Sequence, residues 1–253
     1  MKLPRWLPRW KTVRRVWIIT GLTATVLFNG WMLASSRARG FDESILQSDG
    51  RVTVREEGPY LDFKPNGETK GAGLVFYPGS GIDPKAYAPL ARSIAEQGHE
   101  AVIVKLPMRL APFEFQKEEA VERGRSWIES HPGRWVASGH SLGGVIASRL
   151  AAAHGDLLAG LVLIGTSHPV VLDLSTATYP VTKVYGTNDG VAPVEKIEAT
   201  RNCLPPHTRW VRIEGGNHGQ FGWYGRQFRD RPATISREEQ QARTLEALLD
   251  VLR

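Results

Sequence analysis

The stretch VASGHSLGGVIAS, residues 136–148, decides the fold. An apolar run leads into a serine set between glycines, and an Ala-rich helical pattern follows at once. Gly139-His140-Ser141-Leu142-Gly143 fits the pattern G-x-S-x-G. A strand has to turn sharply into a helix there. Glycines two positions either side of the serine let strand and helix approach without side-chain clashes, and the bend lifts the hydroxyl clear. The helix N-terminus beside it favours developing negative charge. The plain alternative is an ordinary turn into a packed helix, and the surrounding sequence separates the two.

On both sides, short apolar runs alternate with helical patterns. AGLVFY (72–77), EAVIVK (100–105), RWVASG (134–139), LAGLVLIG (158–165), VTKVYG (181–186) and RWVRIE (209–214) read as buried strands. Residues 84–98, 116–130, 142–154, 194–202 and 237–252 read as helices. Residues 40–70 are polar and turn-rich, a linker followed by short leading strands around RVTVREE and YLDF. This alternation predicts an α/β domain with a mostly parallel central sheet and helices on both faces. Ligands of such sheets bind beyond the C-terminal strand ends.

Four loops leave those ends: 78–83 (PGSGID), 139–142, 187–193 (TNDGVAP) and 215–225 (GGNHGQFGWYG). Asp189 follows its strand directly. Asp156 and Asp173 are rival acids, one after the elbow helix and one in a connecting segment. His218 lies in a glycine-rich loop, from which it can reach over the sheet to Ser141, accept its proton and be oriented by the aspartate. His140 points away if Ser141 points into the site, so it reads as a packing residue. His99, His131, His154, His168 and His207 read as surface or turn residues. The amide of Leu142, just after the serine, is one expected oxyanion donor.

FYPGSGIDPKAYAPLA, VIVKLP, GHSLGG, YGTNDGVAP, IEGGNHGQFGWYG and TISREEQQ together resemble the small serine hydrolases of the fifth α/β-hydrolase fold family, relatives of the dienelactone hydrolases. The resemblance covers about residues 72–250. It implies an α/β-hydrolase fold, Ser141 as nucleophile, Asp189 as acid and His218 as base; the roughly fifteen residues between Gly165 and Val181, where a large lid would be inserted, predict little or no cap. It implies Ser80 as the second backbone oxyanion donor, with Gly81 close behind. Dienelactone enzymes carry a cysteine where this chain has Ser141. Gly79, Gly81, Gln220 and Phe221 are candidate pocket residues. For Gln220, Phe221, Trp223 and Tyr224, packing of the histidine loop is the competing reading.

The net charge of +6 is unevenly placed. Of 32 Lys and Arg, eight fall in residues 1–39, which hold no acid; the other 24 face 26 acids, so the remainder carries a net charge of −2. Nothing in that balance calls for nucleic acid. Residues 16–34, VWIITGLTATVLFNGWMLA, are uncharged and span roughly 28 Å as a helix, about a bilayer's hydrocarbon thickness. Six basic residues precede the run and two follow it closely, which places the N-terminus in the cytoplasm and the domain outside. The expected organisation is a basic segment over 1–15, a single-pass signal-anchor over 16–35, linker and leading strands over 36–70 and the catalytic domain over 71–253. The alternative is secretion after signal cleavage near SRA (36–38), although the apolar run is longer than a usual signal core. Cys203 is the single cysteine, so no intrachain disulfide forms.

These readings predict a membrane-anchored serine hydrolase acting on small-molecule esters or thioesters, with no cofactor and no metal. Two alternatives remain: an acyltransferase using the same triad, and a catalytically silent interaction module on a hydrolase scaffold.

Overall fold

The computed structural model describes residues 10–253. Part of the basic segment expected over 1–15 therefore lies outside the described residues. The strands are β1 (Val52–Glu57), β2 (Tyr60–Pro65), β3 (Gly73–Tyr77), β4 (Ala101–Val104), β5 (Trp135–His140), β6 (Leu158–Ile164), β7 (Val181–Gly186) and β8 (Arg209–Ile213). They form one sheet in the order β1-β2-β4-β3-β5-β6-β7-β8. The β1–β2 hairpin and the β2–β4 pair are antiparallel, and every other pair is parallel. The leading strands are thus an antiparallel edge on a parallel sheet.

The helices are α1 (Trp10–Ser35), α2 (Ala88–Glu96), α3 (Glu114–Ser130), α4 (Leu142–His154), α5 (Val194–Glu198) and α6 (Arg237–Leu252). Alternate strand residues feed opposite faces, as the two-residue strand period requires. Leu74, Phe76, Ile103, Val136 and Val162 pack with α2 and α6. Val75, Tyr77, Val102, Ala137 and Leu161 pack with α3 and α4. Covering both faces explains why β5 is buried at all six residues. Two expected helices are shorter than their patterns. Residues 84–98 begin as a 3-10 turn, Pro84–Tyr87, capped by Asp83, and only then become α2. Residues 194–202 split into α5 and the turn Arg201–Cys203. Between β6 and β7 no helix is inserted, so no lid covers the strand ends from there.

Helix α1 stands apart from this packing. It is long and apolar enough to cross a membrane, and the apolar stretch is unburied. Two of its polar residues bond back onto the helix: Thr25 Oγ1 donates to Gly21 O at 2.9 Å and Asn29 Nδ2 to Thr25 O at 2.8 Å. Its C-terminal third meets the domain, from Phe28 against Phe228 to backbone bonds at the helix end. Gly225 N donates to Ser35 O (2.7 Å), Asp83 N to Ser36 O (2.9 Å) and Arg39 N to Trp223 O (2.9 Å). Residues after it are packed rather than loose, since Ala38, Ile45 and Leu46 lie on the core. One of the histidines read as surface residues is buried: His99 bonds Ala72 O through Nδ1 at 3.0 Å.

Asp62 on β2 is a buried acid whose Oδ1 has no hydrogen-bond partner. Burial, with Glu100 adding repulsion, pushes its carboxyl up from 3.8 to about 7. Between those values the folded chain holds a proton that the unfolded chain releases, so stability from this group falls as pH rises from about 4 to 7. Asp62→Asn removes that loss. Thermal melts are expected to show the variant above the native protein at pH 8, by up to about 4 kcal/mol, with the gap closing toward pH 4. A gap independent of pH would refute the assignment.

Candidate active site

Ser141 joins β5 to α4 at φ 56°, ψ −118°, a conformation that a non-glycine residue adopts only under constraint. The constraint is visible around it. A Cβ on Gly139 would lie 2.2 Å from the backbone of Gly143, and a Cβ on Gly143 would lie 1.9 Å from Tyr77 O. Strand, turn and helix are therefore in backbone contact, which only glycine permits at these two positions. Ser141 N donates to Ile164 O at 3.0 Å, tying the bend to β6. The fold brings the four loops to one edge because β3, β5, β7 and β8 all run parallel with their C-terminal ends together.

Asp189 and His218 meet although 29 residues separate them. His218 Nδ1 lies 2.8 Å from Asp189 Oδ2, and both side chains are buried. Asp189 Oδ1 accepts from Val191 N (2.8 Å) and Ala192 N (2.6 Å), which pins the carboxylate. A carboxylate only accepts, so Nδ1 carries a proton, and in the neutral imidazole the lone pair is left on Nε2. Nε2 makes no hydrogen bond among the described residues. Ser141 Oγ is accordingly not bonded to it in this conformation, although the His218 ring packs at 4.4 Å on that of His140, the residue before Ser141. Such contacts often tighten only when substrate binds. The rival acids lie elsewhere. Asp156 is exposed in the turn before β6, at the other end of the sheet. Asp173 is exposed and spends Oδ1 on Ser175 N.

His140 points away from solvent, into the core beside Tyr87 and Phe221. Gly79 N donates to Tyr87 Oη (3.1 Å), leaving the phenol proton for His140 Nδ1 at 2.8 Å. Burial, reinforced by the nearby His218, holds His140 well below the usual histidine range. It stays neutral, so no second cation stands beside His218.

The loop after β3 offers three successive amides. Gly79 N is spent on Tyr87, and Gly81 N donates to Arg109 O at 2.7 Å. Ser80 N makes no comparable bond among the described residues. Leu142 opens α4, so its N–H has no intrahelical acceptor. Of the candidate pocket residues, Phe221 is buried against His140, and Gln220 is tied through Nε2 to Ile235 O at 3.2 Å. These two pack the histidine loop from inside. Gly79 is enclosed by Tyr87, His140 and Ile82.

Several supporting residues had no signal in the spacing of motifs. Asp230 is buried and accepts from His218 N (3.1 Å), Gly219 N (2.8 Å) and Gly190 N (3.2 Å), stapling the acid loop to the histidine loop. Gln240 of α6 pairs with Asn217 through both its amide atoms, at 3.0 and 2.7 Å. Arg237 donates to the carbonyls of Gly222 and Tyr224. The histidine loop is thus held by side chains bonding to main chain, a pairing that sequence patterns do not expose.

A family model described as Alpha/beta hydrolase family matches residues 73–242. No curated protein sequence matches the chain. Among solved structures, a predicted CIB-like hydrolase from Thermoplasma acidophilum is 16% identical, with a TM-score of 0.62 over 79% of this chain and 99% of that one. An alpha-beta serine hydrolase homologue from Coxiella burnetii is 18% identical, with a TM-score of 0.57 over 82% and 99%. Est1E from Butyrivibrio proteoclasticus is 13% identical, with a TM-score of 0.58 over 80% and 99%. At these identities the likeness speaks for the fold.

Proposed function

Because the chain belongs to the alpha/beta hydrolase family, we propose that this hydrolase is a membrane-anchored enzyme that cleaves carboxylic esters or thioesters through an acyl-enzyme on Ser141. The observation that carries the reading is the buried His218, fixed by Asp189 on one nitrogen and unbonded on the other, beside a strained serine turn.

The chemistry follows from that arrangement. Ser141 Oγ attacks the substrate carbonyl carbon while His218 Nε2 takes its proton. The oxyanion is held by the amides of Ser80 and Leu142. His218 passes the proton to the leaving alcohol or thiol as the carbonyl re-forms. Water then attacks the acyl-enzyme and gives a proton to His218, which returns it to Ser141 Oγ as the acyl–Oγ bond breaks and the carboxylic acid leaves. Asp189 holds the tautomer and balances the imidazolium throughout. A neutral His140 keeps that charge pair free of a competitor.

Anchoring is supported by the apolar, unburied α1 and by the excess of basic residues before it. The candidate cleavage site at 36–38 is folded into the domain, with Ser36 O bonded to Asp83 N and Ala38 packed on the core. That favours an uncleaved anchor over a signal peptide, with the N-terminus cytoplasmic and the domain outside.

A fluorophosphonate probe tests the nucleophile, because it traps only an activated serine. The full chain in detergent is expected to label, and Ser141→Ala is expected not to. Labelling that persists in the variant would place the nucleophile elsewhere. A folded native protein that fails to label would favour the silent-module reading.

A further inference from the structure

A groove of about 400 Å³ runs between α1 and the loop after β3. That volume falls in the ordinary range for small-molecule sites, ~300–1,000 Å³. One wall is helix: Phe28, Met32 and Leu33. The other end reaches Ser80 and Gly81. Phe28 precedes Ser35 by seven residues, so the groove follows the helix for roughly 10 Å below the domain. The uncharged run 16–34 puts those residues in the outer half of the hydrocarbon when α1 spans a bilayer.

The rim has the chemistry of a surface resting in lipid. Phe228 packs edge-on against Phe28 with ring centroids 5.4 Å apart, and it is 53% exposed. Met108 is 74% exposed and Leu110 47%. Both sit in a turn where Met108, Arg109 and Ala111 all hold positive φ. Strain spent on presenting apolar side chains to solvent makes sense where the solvent is hydrocarbon. The groove also has a charged side. Among the described residues Arg109 Nε and Nη2 are buried without a hydrogen bond, and Asp83 Oδ2 lies 3.9 Å from Nη2. Arg226 lines the same groove and is exposed.

We propose that this groove takes the acyl chain of a membrane-resident ester, with an anionic headgroup at Arg109 and Arg226 and the ester presented to the Ser80 loop. The proposal rests on the serine hydrolase reading and on α1 remaining in the membrane. It narrows the substrate class to single-chain anionic amphiphiles drawn from the lipid, and it gives α1 a share in substrate binding beyond tethering.

The test uses the full chain in phosphatidylcholine vesicles. Palmitoyl lysophosphatidylglycerol in the bilayer is compared with p-nitrophenyl butyrate in water. Leu33→Trp fills the groove from the helix side, while Leu22→Trp changes the same helix outside it. The ratio of lipid to butyrate turnover is expected to fall at least tenfold in Leu33→Trp and to hold in Leu22→Trp. An unchanged ratio in Leu33→Trp, or equal falls in both variants, overturns the groove. Arg109→Gln is expected to reduce turnover of the anionic lipid relative to neutral monopalmitoylglycerol by at least threefold; equal losses overturn the headgroup assignment. Butyrate turnover without any lipid turnover defeats this inference alone. Absence of both turnover and fluorophosphonate labelling defeats the hydrolase reading beneath it.

Discussion

Ser141→Ala is expected to lower kcat for a p-nitrophenyl ester by about 10⁴-fold or more, His218→Ala by a similar factor, and the double variant by little beyond either. In the proposed mechanism the two side chains act as one unit. Without the hydroxyl there is no bond to form, and without the imidazole the hydroxyl keeps its proton. In the proposed mechanism, what survives either loss is the contribution of binding and of the amides of Ser80 and Leu142, which needs neither side chain. The geometry makes the unit rigid on the base side. His218 is buried, its Nδ1 fixed by Asp189 and its own amide by Asp230. Kinetics of the three variants, with circular dichroism to confirm folding, read the outcome. Losses that multiply would mean the two residues serve separate steps, and the proposed mechanism would fail.

Gly143→Ala is expected to cost more than any other single methyl added to the chain's surface-facing or buried glycines near the site. In most helices alanine is better than glycine by ~1 kcal/mol. Here the new Cβ would stand 1.9 Å from Tyr77 O, 2.6 Å from Tyr77 C and 2.7 Å from Pro78 O. All three are backbone atoms, so no side chain can step aside. Either α4 moves off β3 or the serine turn opens. A displacement of about 1 Å in the reacting groups can cost ~100-fold in rate. Labelling by the fluorophosphonate is expected to slow at least that much, and the thermal midpoint to drop by at least about 5 °C. Gly30→Ala is the matched control, since nothing lies within 4 Å of its Cβ position on α1. Native-like labelling of Gly143→Ala would show that the turn is softer than its contacts imply.

The parts of this molecule that were legible in its sequence are those whose constraint is local. The serine turn demands glycine at fixed offsets, and buried strands demand short apolar runs, so β3 to β8 and residues 139–143 could be read directly. Asp189 and His218 could be read because parallel strands deliver their following loops to one edge. Asp230, Gln240 and Arg237 could not, because each bonds to main chain far away in sequence and any segment offers main chain. The choice among the amides at 79–81 was equally hidden. It depends on Tyr87 and on Arg109 O, both of which arrive from other loops. The seating of α1 on residues 83, 223 and 225 likewise rests on backbone bonds that leave no trace in composition.

With α1 spanning a bilayer as proposed, those same three backbone bonds, at Ser35, Ser36 and Arg39, leave no slack between the membrane helix and the domain. A flexible leash lets a catalytic domain tumble and sample the bulk solution above it. A rigid stem instead turns enzyme and bilayer into a single body with one fixed presentation. Encounter then becomes a search in two dimensions, governed by how crowded the substrate is among its lipid neighbours rather than by its concentration in water. Diluting the substrate with inert lipid slows such an enzyme, whereas diluting the whole suspension with buffer leaves its rate per molecule unchanged.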